Sequence, residues 1–254
     1  MSHIYARRSS KNNVRSRYTL NIKGIPYKTI WVEFPDVKAL CQKIGAAPTL
    51  PLPDGTMMYT LPTIYDPNTK TAVSDSAAIA RYLDRAYPHA GLTLVPPEVD
   101  AFLAPLDVAL TATTLGGGHL PPVTVPAMCA LLNARSAAYF RRTREAFFGP
   151  LDALAPAGSE KRAEHWRGAQ KTMSTLASWL GSMPDGTERL FFLGSRERIC
   201  FADLVFAGLM KGLEKAFTPE EFTEVMAWDD GRWARFMEAF RPYEDADAGS
   251  LVEL

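Results

Sequence analysis

One stretch of the chain has an unusual placement of proline and of small polar residues: LPTIYDPNTKTAVSDSAAIARYL, from Leu61 to Leu83. Pro62 stands at the start of a β-prone run, although proline lacks the backbone N–H that a sheet ladder needs. Asp-Pro-Asn-Thr-Lys then indicates a turn, a second short strand follows, and Ser74-Asp75-Ser76 stands directly before a helical pattern. This order of strand, strand and helix predicts a sheet edge that has a function in addition to packing.

A ligand explains both the proline and the acidic hydroxyl cluster. A cis bond between Leu61 and Pro62 would turn the Leu61 backbone toward solvent, where an extended peptide can pair with it. The next helix start supplies unpaired N–H donors and a positive dipole end. There Ser76 can hydrogen-bond a carboxylate while Asp75 accepts from an ammonium, which suits an amino-acid head group. The plainer alternative is that residues 74–76 only cap the helix.

Bulk composition limits the possible classes of protein. The chain has 254 residues, 47% apolar and 22% charged, enough for one large or two small packed domains. Lys plus Arg (28) equals Asp plus Glu (28), so we expect neither nucleic acid nor an anionic membrane as a partner. No apolar run approaches the roughly 18 residues of a spanning helix, and no signal peptide is recognisable. With three scattered cysteines and four histidines we expect no metal and a cytoplasmic protein.

The N-terminal part alternates short strands and helices. Apolar alternation and β-branched residues predict strands at 2–6, 27–32, 63–65 and 71–73. Apolar positions three and four apart predict helices at 12–23, 35–44 and 75–87. The Pro- and Gly-rich segment 46–58 is predicted to be a loop.

The strand pattern fades after a linker at 92–99. Helical spacing is found at 126–148, 160–180, 201–216, 220–226 and 232–240. The sequence therefore predicts an α/β domain over residues 1–92, followed by an all-helical domain over residues 98–254.

These motifs resemble those of cytosolic glutathione transferases. LPTI followed by VSDSAAIARYL looks like their thioredoxin-like half, in which a cis-proline precedes a strand and an acid–serine pair holds the γ-glutamyl group. Cys200-Phe-Ala-Asp203-Leu is similar to their buried capping-box helix, with Cys200 in place of Ser or Thr. SRYTLNIKGIPYKTIWVEFPDV, LCQKIGAAPT and YFRRTREAFFG resemble the fungal, etherase-related (FuA-like) class. The resemblance implies a thioredoxin-like α/β N-terminal domain plus an all-α C-terminal domain.

The resemblance also implies a serine that stabilises the glutathione thiolate near the start of the first helix. The class has Ser-Pro-Asn-Thr-Trp-Lys-Thr-Arg there, and the matching stretch begins at Ser10, which is the predicted catalytic residue. Ser9 is the alternative in the neighbouring register, and Tyr5 stands where other classes use a tyrosine. Lys11 replaces the proline, so the helix start loses pre-organisation while gaining a cation. As plainer alternatives, Ser10 only caps the helix and Tyr5 only packs.

The remaining contacts with glutathione, the implied co-substrate, follow the same fold. Leu61 would pair through its backbone with the cysteinyl unit, and Asp75 with Ser76 would hold the γ-glutamyl end. Lys43 or Gln42, at the end of the second helix, is predicted to bind the glycyl carboxylate. A solvated helix end explains Lys43 equally well.

The second substrate is expected in an apolar cleft between the two halves. The predicted wall consists of Leu103, Leu106, Leu110 and the segment 115–120. His119 is a candidate contact for a phenolic ligand, although a lone loop histidine is more often exposed. Cys41 and Cys129 match no catalytic position and are expected to be core thiols, which favours a serine-type enzyme over a thiol transferase.

Several functions remain open. The leading hypothesis is an enzyme that conjugates glutathione to aromatic or polyphenolic electrophiles, or cleaves a thioether or ether with glutathione. The alternative is a ligandin-like protein that binds hydrophobic aromatics with little catalysis, and a third is a regulatory interaction module of the same fold. No Asn/Gln-rich extension supports the third. The resemblance and the frequency of closed symmetry predict a homodimer, with the N-terminal half of one subunit against the helical half of the other.

Overall fold

A five-stranded sheet forms the centre of the N-terminal half. The computed structural model describes residues 2–6, 11–52, 55–116, 118–244 and 250–251. The strands are β1 (Ser2–Ala6), β2 (Tyr27–Trp31), β3 (Leu50–Pro51), β4 (Met57–Met58), β5 (Thr63–Asp66), β6 (Thr71–Ser74) and β7 (Ser250–Leu251). The larger sheet has the order β6-β5-β1-β2-β7, while β3 and β4 form a separate antiparallel ribbon.

Helices cover this sheet and build the whole C-terminal half. They are α1 (Lys11–Ile22), α2 (Val37–Lys43), α3 (Ser76–Ala86), α4 (Pro97–Thr111), α5 (Leu120–Ala130), α6 (Ala134–Phe148), α7 (Glu160–Leu180), α8 (Phe201–Ala216) and α9 (Pro219–Glu238). A π-helical turn, Ala112–Gly116, continues α4.

Strand register places the two faces of the sheet. β1 runs parallel to β2 and antiparallel to β5, with Ile4 opposite Ile64. Both isoleucines are fully buried with Ile79 of α3 on one face. Since side chains alternate along a strand, Tyr5 belongs to the other face, where it packs in the cluster beside α2. Its register partner is Thr63, the residue after Pro62.

Helix α1 joins the two halves. It packs along α8, and its buried Tyr18 and Ile22 belong to the same apolar cluster as Phe206 and Phe236 of the helical half. The helix whose start carries the predicted catalytic serine is therefore fixed by the C-terminal core.

A second connection runs from the end of β2 to α6. Arg135 donates to both carboxylate oxygens of Asp36, at 2.5 and 2.6 Å. The hydroxyl of Ser136 donates to the Glu33 carboxylate and accepts from the Phe34 N–H at 3.1 Å. The segment from Glu33 to Asp36 is thus held by the helical half on two consecutive residues of α6.

Most predicted elements are confirmed within a few residues, but the helix predicted over 126–148 is wrong, and the loop predicted over 46–58 contains the two-stranded ribbon of β3 and β4. The structure has two helices there, α5 and α6, separated at residues 131–133. Pro126 suggested a helix start but lies inside α5, whose first turn contains Pro121. The Asn133 side chain accepts from the Ser136 N–H at 2.9 Å and begins α6 anew.

Helix α9 confirms a break that the sequence predicts between residues 226 and 232. The helix continues through a sharp kink in which Asp229, Asp230 and Gly231 have φ values of 51°, 56° and 73°. Asp229 stabilises the kink, since its carboxylate accepts from Trp233 Nε1 at 3.1 Å and from the Ser174 hydroxyl at 2.7 Å.

One segment, Pro97–Gly116, is long and apolar enough to cross a membrane by length and composition, among the residues that the structure describes. Glu98, Asp100 and Asp107 interrupt its apolar runs. Leu103 and Leu110 bury one face of α4 in the helical core, and Asp107 pairs with Arg15 of α1. Packing within the domain accounts for this buried face, whereas Phe102 and Val108 on other faces of the helix are exposed.

Candidate functional site

The predicted peptide-binding edge lies at the start of β5. The Leu61–Pro62 bond is cis, which confirms that prediction. The Leu61 side chain is buried in the cluster beside α2. Its backbone N–H and C=O pair with no other described residue, so a donor and an acceptor remain available there.

The start of α3 presents further unpaired polar groups. One oxygen of Asp75 accepts from the N–H groups of Ala77 at 3.0 Å and Ala78 at 2.9 Å, so this residue does cap the helix. Its other oxygen has no hydrogen-bond partner within the described chain, and neither has the hydroxyl of the buried Ser76. Ser74 does not cap, because its hydroxyl bonds that of Thr63 at 2.7 Å. Capping therefore leaves the ligand-binding capacity of Asp75 and Ser76 intact.

A cavity of about 390 Å³ opens at this helix start. Its walls come from α1, α3, α4, the turn after α4 and the start of α8: Arg15, Asp75, Ser76, Ala77, Arg81, Leu103, Ala104, Asp107, Thr111, Leu115 and Phe201. Carboxylates, guanidinium groups and apolar surface meet in one space, which is the environment that a zwitterionic ligand with an apolar neighbour requires.

Arg15 is the site residue that sequence analysis missed. Its side chain is 5% exposed, Nη1 lies 3.5 Å from Asp107 Oδ1, and the buried Nε has no hydrogen-bond partner among the residues that the structure describes. Burial lowers the pKa of Arg15, although the carboxylates of Asp107 and Asp75 oppose this shift. A guanidinium stays charged in proteins because its ordinary pKa is very high. The sequence signal for this residue was its spacing: Arg15 stands one turn before Tyr18 and Thr19, which places a cation on the buried face of α1.

The structure does not bring Lys43 into this cavity. Lys43 and Gln42 are exposed at the end of α2 and are not among the residues that line it. This exposure fits the solvated helix end as well as a ligand contact.

The predicted thiol-activating residues divide into two groups. Ser10 and Ser9 lie outside the described residues, which resume at Lys11, the first residue of α1. Tyr5 is half-buried, and burial, followed by the nearby Tyr65, raises the pKa of its phenol. Tyr5 therefore stays protonated and can donate a hydrogen bond.

The cysteines and histidines have structural surroundings. Cys41 and Cys129 are buried, as predicted for core thiols, and burial raises the pKa of Cys41. His119 is not a lone exposed residue, because its Nδ1 lies 3.4 Å from Nδ1 of His165. No group of three or more metal-ligating side chains occurs in the parts of the chain that the structure describes.

The expected apolar wall is partly corrected. Leu103 and Leu106 line a second cavity of about 490 Å³, together with Phe102, Trp179 and Phe192. Leu110 lines neither cavity, since it is buried in the helical core. Leu103 and Leu110 are seven residues apart and lie on the same side of α4, but Leu110, at 1% exposure, is enclosed by that core.

Known proteins share this fold over nearly the whole chain. Residues 10–86 match the family model described as glutathione S-transferase, N-terminal domain, and residues 109–243 match glutathione S-transferase, C-terminal domain. The glutathione S-transferase-like protein ustS of Aspergillus flavus is 30% identical over 238 residues, which is 88% of this chain and 80% of ustS.

Two solved fungal structures are similar in detail. The glutathione S-transferase CsGST63524 of Ceriporiopsis subvermispora, crystallised with glutathione, has 41% identity and a TM-score of 0.89, covering 98% of this chain and 99% of that one. GSTFuA3 of Phanerochaete chrysosporium has 34% identity and a TM-score of 0.85, covering 97% and 98%. The predicted architecture, a thioredoxin-like α/β domain followed by an all-α domain, is thereby confirmed. The chain belongs to the glutathione S-transferase family, and the fungal GSTFuA enzymes are among its structural relatives.

Proposed function

We propose that this protein is a cytoplasmic glutathione transferase that joins glutathione to aromatic or polyphenolic electrophiles, or uses it to cleave a thioether or ether. The observation that carries the proposal is a set of polar groups at the adjoining starts of β5 and α3 that make no hydrogen bond with any other described residue. These are the Leu61 backbone, the second carboxylate oxygen of Asp75, and the Ser76 hydroxyl. An extended γ-glutamyl peptide supplies the complementary groups at these positions.

The proposed binding mode follows from these groups. Leu61, beside Pro62, pairs through its backbone with the cysteinyl unit. Ser76 donates to the γ-glutamyl carboxylate at the positive end of α3, and Asp75 accepts from the ammonium. Lys43 attracts the glycyl carboxylate from the end of α2.

The chemistry is nucleophilic substitution by sulfur. The glutathione thiol loses its proton to solvent, the thiolate forms a C–S bond with the electrophilic carbon, and the leaving group departs with its electron pair. Ser10 donates a hydrogen bond to the thiolate and so lowers the pKa of the thiol. A charge-assisted hydrogen bond of about 1.5–3 kcal/mol and a dipole contribution of roughly 0.3–1 kcal/mol correspond to about one to three pKa units.

A pH titration tests the role of Ser10. The ultraviolet absorbance of the bound thiolate is followed against pH for the wild type, Ser10→Ala, Ser9→Ala and Tyr5→Phe. We expect Ser10→Ala to raise the apparent pKa by at least about one unit and the other variants to leave it unchanged. A shift in Ser9→Ala or Tyr5→Phe instead would move the catalytic role to that residue.

Calorimetry tests the γ-glutamyl assignment. Removing the Ser76 hydroxyl in Ser76→Ala should weaken glutathione binding by roughly 1–3 kcal/mol, because the ligand carboxylate loses its donor. Ser74→Ala is the matched control, since the Ser74 hydroxyl already bonds Thr63. Equal affinity in the wild type and in Ser76→Ala would overturn the assignment.

The second cavity favours a ligandin-like alternative. It holds about 490 Å³ and is lined by Phe102, Leu106, Trp179 and Phe192, surfaces that suit a flat aromatic ligand. If binding is the main role, the protein should bind a fluorescent polycyclic aromatic sulfonate, measured as a change in fluorescence. It should then convert a chlorodinitrobenzene with glutathione hardly faster than the uncatalysed reaction in solution. Phe102→Ala should weaken that binding. Rapid turnover by the wild type favours the enzyme.

A further inference from the structure

Two histidines face each other where α5 begins beside α7. Nδ1 of His119 lies 3.4 Å from Nδ1 of His165, and the ring centroids are 5.5 Å apart. N–H hydrogen bonds to oxygen are mostly about 2.7–3.2 Å long, so a hydrogen bond between these two nitrogens is long and weak. It does not by itself explain why two imidazoles meet at this point.

The packing around the pair allows an unusually close approach. The ring of His119 lies against the backbone of α7 at Gly168, where a Cβ would be 2.1 Å from its Cγ and 2.3 Å from its Nδ1. Glycine is unfavourable in the interior of a helix, so the contact is made at a cost to α7. Both imidazoles are half-buried. The two rings are therefore held in place from both sides of the contact.

The separation of the two nitrogens matches that of two ligands on one metal ion. Zinc–nitrogen bonds of about 2.0–2.1 Å at the tetrahedral angle place two ligand nitrogens about 3.3–3.4 Å apart. The observed separation is 3.4 Å. Imidazole nitrogen is a ligand that suits zinc, copper and nickel. The ammonium of Lys161, one helical turn before His165, is held by the Ala153 carbonyl at 2.8 Å.

We propose that His119 and His165 form a binding site for a divalent transition metal, with Zn²⁺ as the probe. The two Nδ1 atoms supply two ligands and water supplies the others, because no group of three metal-ligating side chains occurs among the described residues. The sequence gives no sign of this site, since the two histidines are 46 positions apart and only the fold brings them together. The proposal does not depend on glutathione binding.

A bound metal would link the start of α5 to α7. Helix α5 follows the π-helical turn Ala112–Gly116, and Leu115 of that turn lines the 390 Å³ cavity. Packing holds these elements together without the metal, whereas coordination would fix the start of α5 directly on α7. Zinc should therefore stabilise the fold and restrain one wall of the cavity.

The test is a zinc titration of protein without a purification tag, followed by calorimetry and by thermal unfolding. The chain has four histidines, so His3→Ala and His89→Ala are combined to give a background that keeps only the proposed pair. We expect this background to bind one equivalent of zinc. Each tenfold increase in free zinc above the dissociation constant should raise Tm by about 3–6 °C. Magnesium, which prefers oxygen ligands, should leave Tm unchanged.

Substitutions in that background test whether both histidines hold the same ion. His119→Ala and His165→Ala should each lower the affinity for zinc by more than about 10-fold, because losing a ligand should cost at least as much as losing an outer-shell partner. Combining them should lower it hardly further, since either loss already destroys the shared site. His165→Phe keeps a ring of similar size, so it separates the lost nitrogen from lost packing and decides the test if His119→Ala does not fold.

Two results would overturn the proposal. One is zinc binding only at millimolar concentration, which would show two neighbouring imidazoles and no metal site. The other is equal affinity for zinc in the background and in its His119→Ala and His165→Phe forms, which would place the ion elsewhere on the chain.

Discussion

Cys200 occupies the position that begins α8, and its thiol contacts a buried carboxylate. Its Sγ donates to Asp203 Oδ2 at 3.3 Å, and the same oxygen accepts from the Cys200 N–H at 2.9 Å. The other oxygen of Asp203 accepts from the Phe192 N–H at 2.9 Å. Burial raises the pKa of Asp203 to about 6, despite these bonds. The weak S–H donor leaves this carboxylate less well stabilised than a hydroxyl would.

Cys200→Ser should therefore stabilise the protein at neutral pH. A hydroxyl is a stronger donor to a carboxylate than a thiol, and we expect a gain of about 0.5–1.5 kcal/mol in the free energy of unfolding, measured with urea. Cys129→Ser is the comparison, because that thiol donates to the Ala137 carbonyl at 3.8 Å and not to a carboxylate, so a hydroxyl there should give no comparable gain. A Cys200→Ser protein no more stable than the wild type contradicts the argument.

The raised pKa of Asp203 also predicts a pH dependence. Its folded pKa of about 6 exceeds its ordinary value of 3.8, so the associated stability is complete below that ordinary value and is lost as the pH rises through the folded pKa. The unfolding free energy of the wild type, minus that of Asp203→Asn, should fall by about 2 kcal/mol between roughly pH 4 and pH 7. A constant difference over that interval would show that Asp203 titrates normally.

Helices α5 and α7 meet at a point where one glycine makes room for an imidazole. A Cβ on Gly168 of α7 would overlap the ring of His119, the residue before α5. Alanine in place of glycine normally stabilises a helix by about 1 kcal/mol. Here the clash should prevail, and Gly168→Ala should cost about 1–3 kcal/mol in thermal or urea unfolding. Adding His119→Ala should restore the loss, whereas an unchanged double variant would rule out this contact as the cause.

The sequence predicted long helices well, but it predicted short strands and contacts between distant residues poorly. The periodicity of α7 and α8 extends over many turns, so their ends could be placed almost to the residue. Strands β3, β4 and β7 have two residues each, too few to show alternation. In the candidate site, Asp75 and Ser76 stand next to each other in a recognisable context. Arg15 and Asp107 meet only because α1 and α4 pack together, and nothing local in the sequence encodes that pairing.

The exposed apolar side chains of α4 bear on the assembly of the whole molecule. Phe102 and Val108 are 68% and 70% exposed, which is costly for large apolar residues in water. We expect a twofold homodimer, with the N-terminal half of one subunit against the helical half of the other. Light scattering and small-angle scattering at micromolar concentration should give twice the chain mass of 28.0 kDa. Val108→Glu should give monomers, while Lys171→Glu, at an exposed polar position of α7, should not; a monomeric wild type contradicts the expectation.

The contact between the end of β2 and α6 constrains how the two halves can change over evolutionary time. Glu33 and Asp36 lie in the part that matches the N-terminal family model, and Arg135 and Ser136 lie in the part that matches the C-terminal one. A recombinant that inherited the halves from distant ancestors would bring together a carboxylate and a side chain that were not selected for one another. Any change at Ser136 that removes the hydroxyl takes away this donor to the Glu33 carboxylate, so we expect the residues at these two positions to change together.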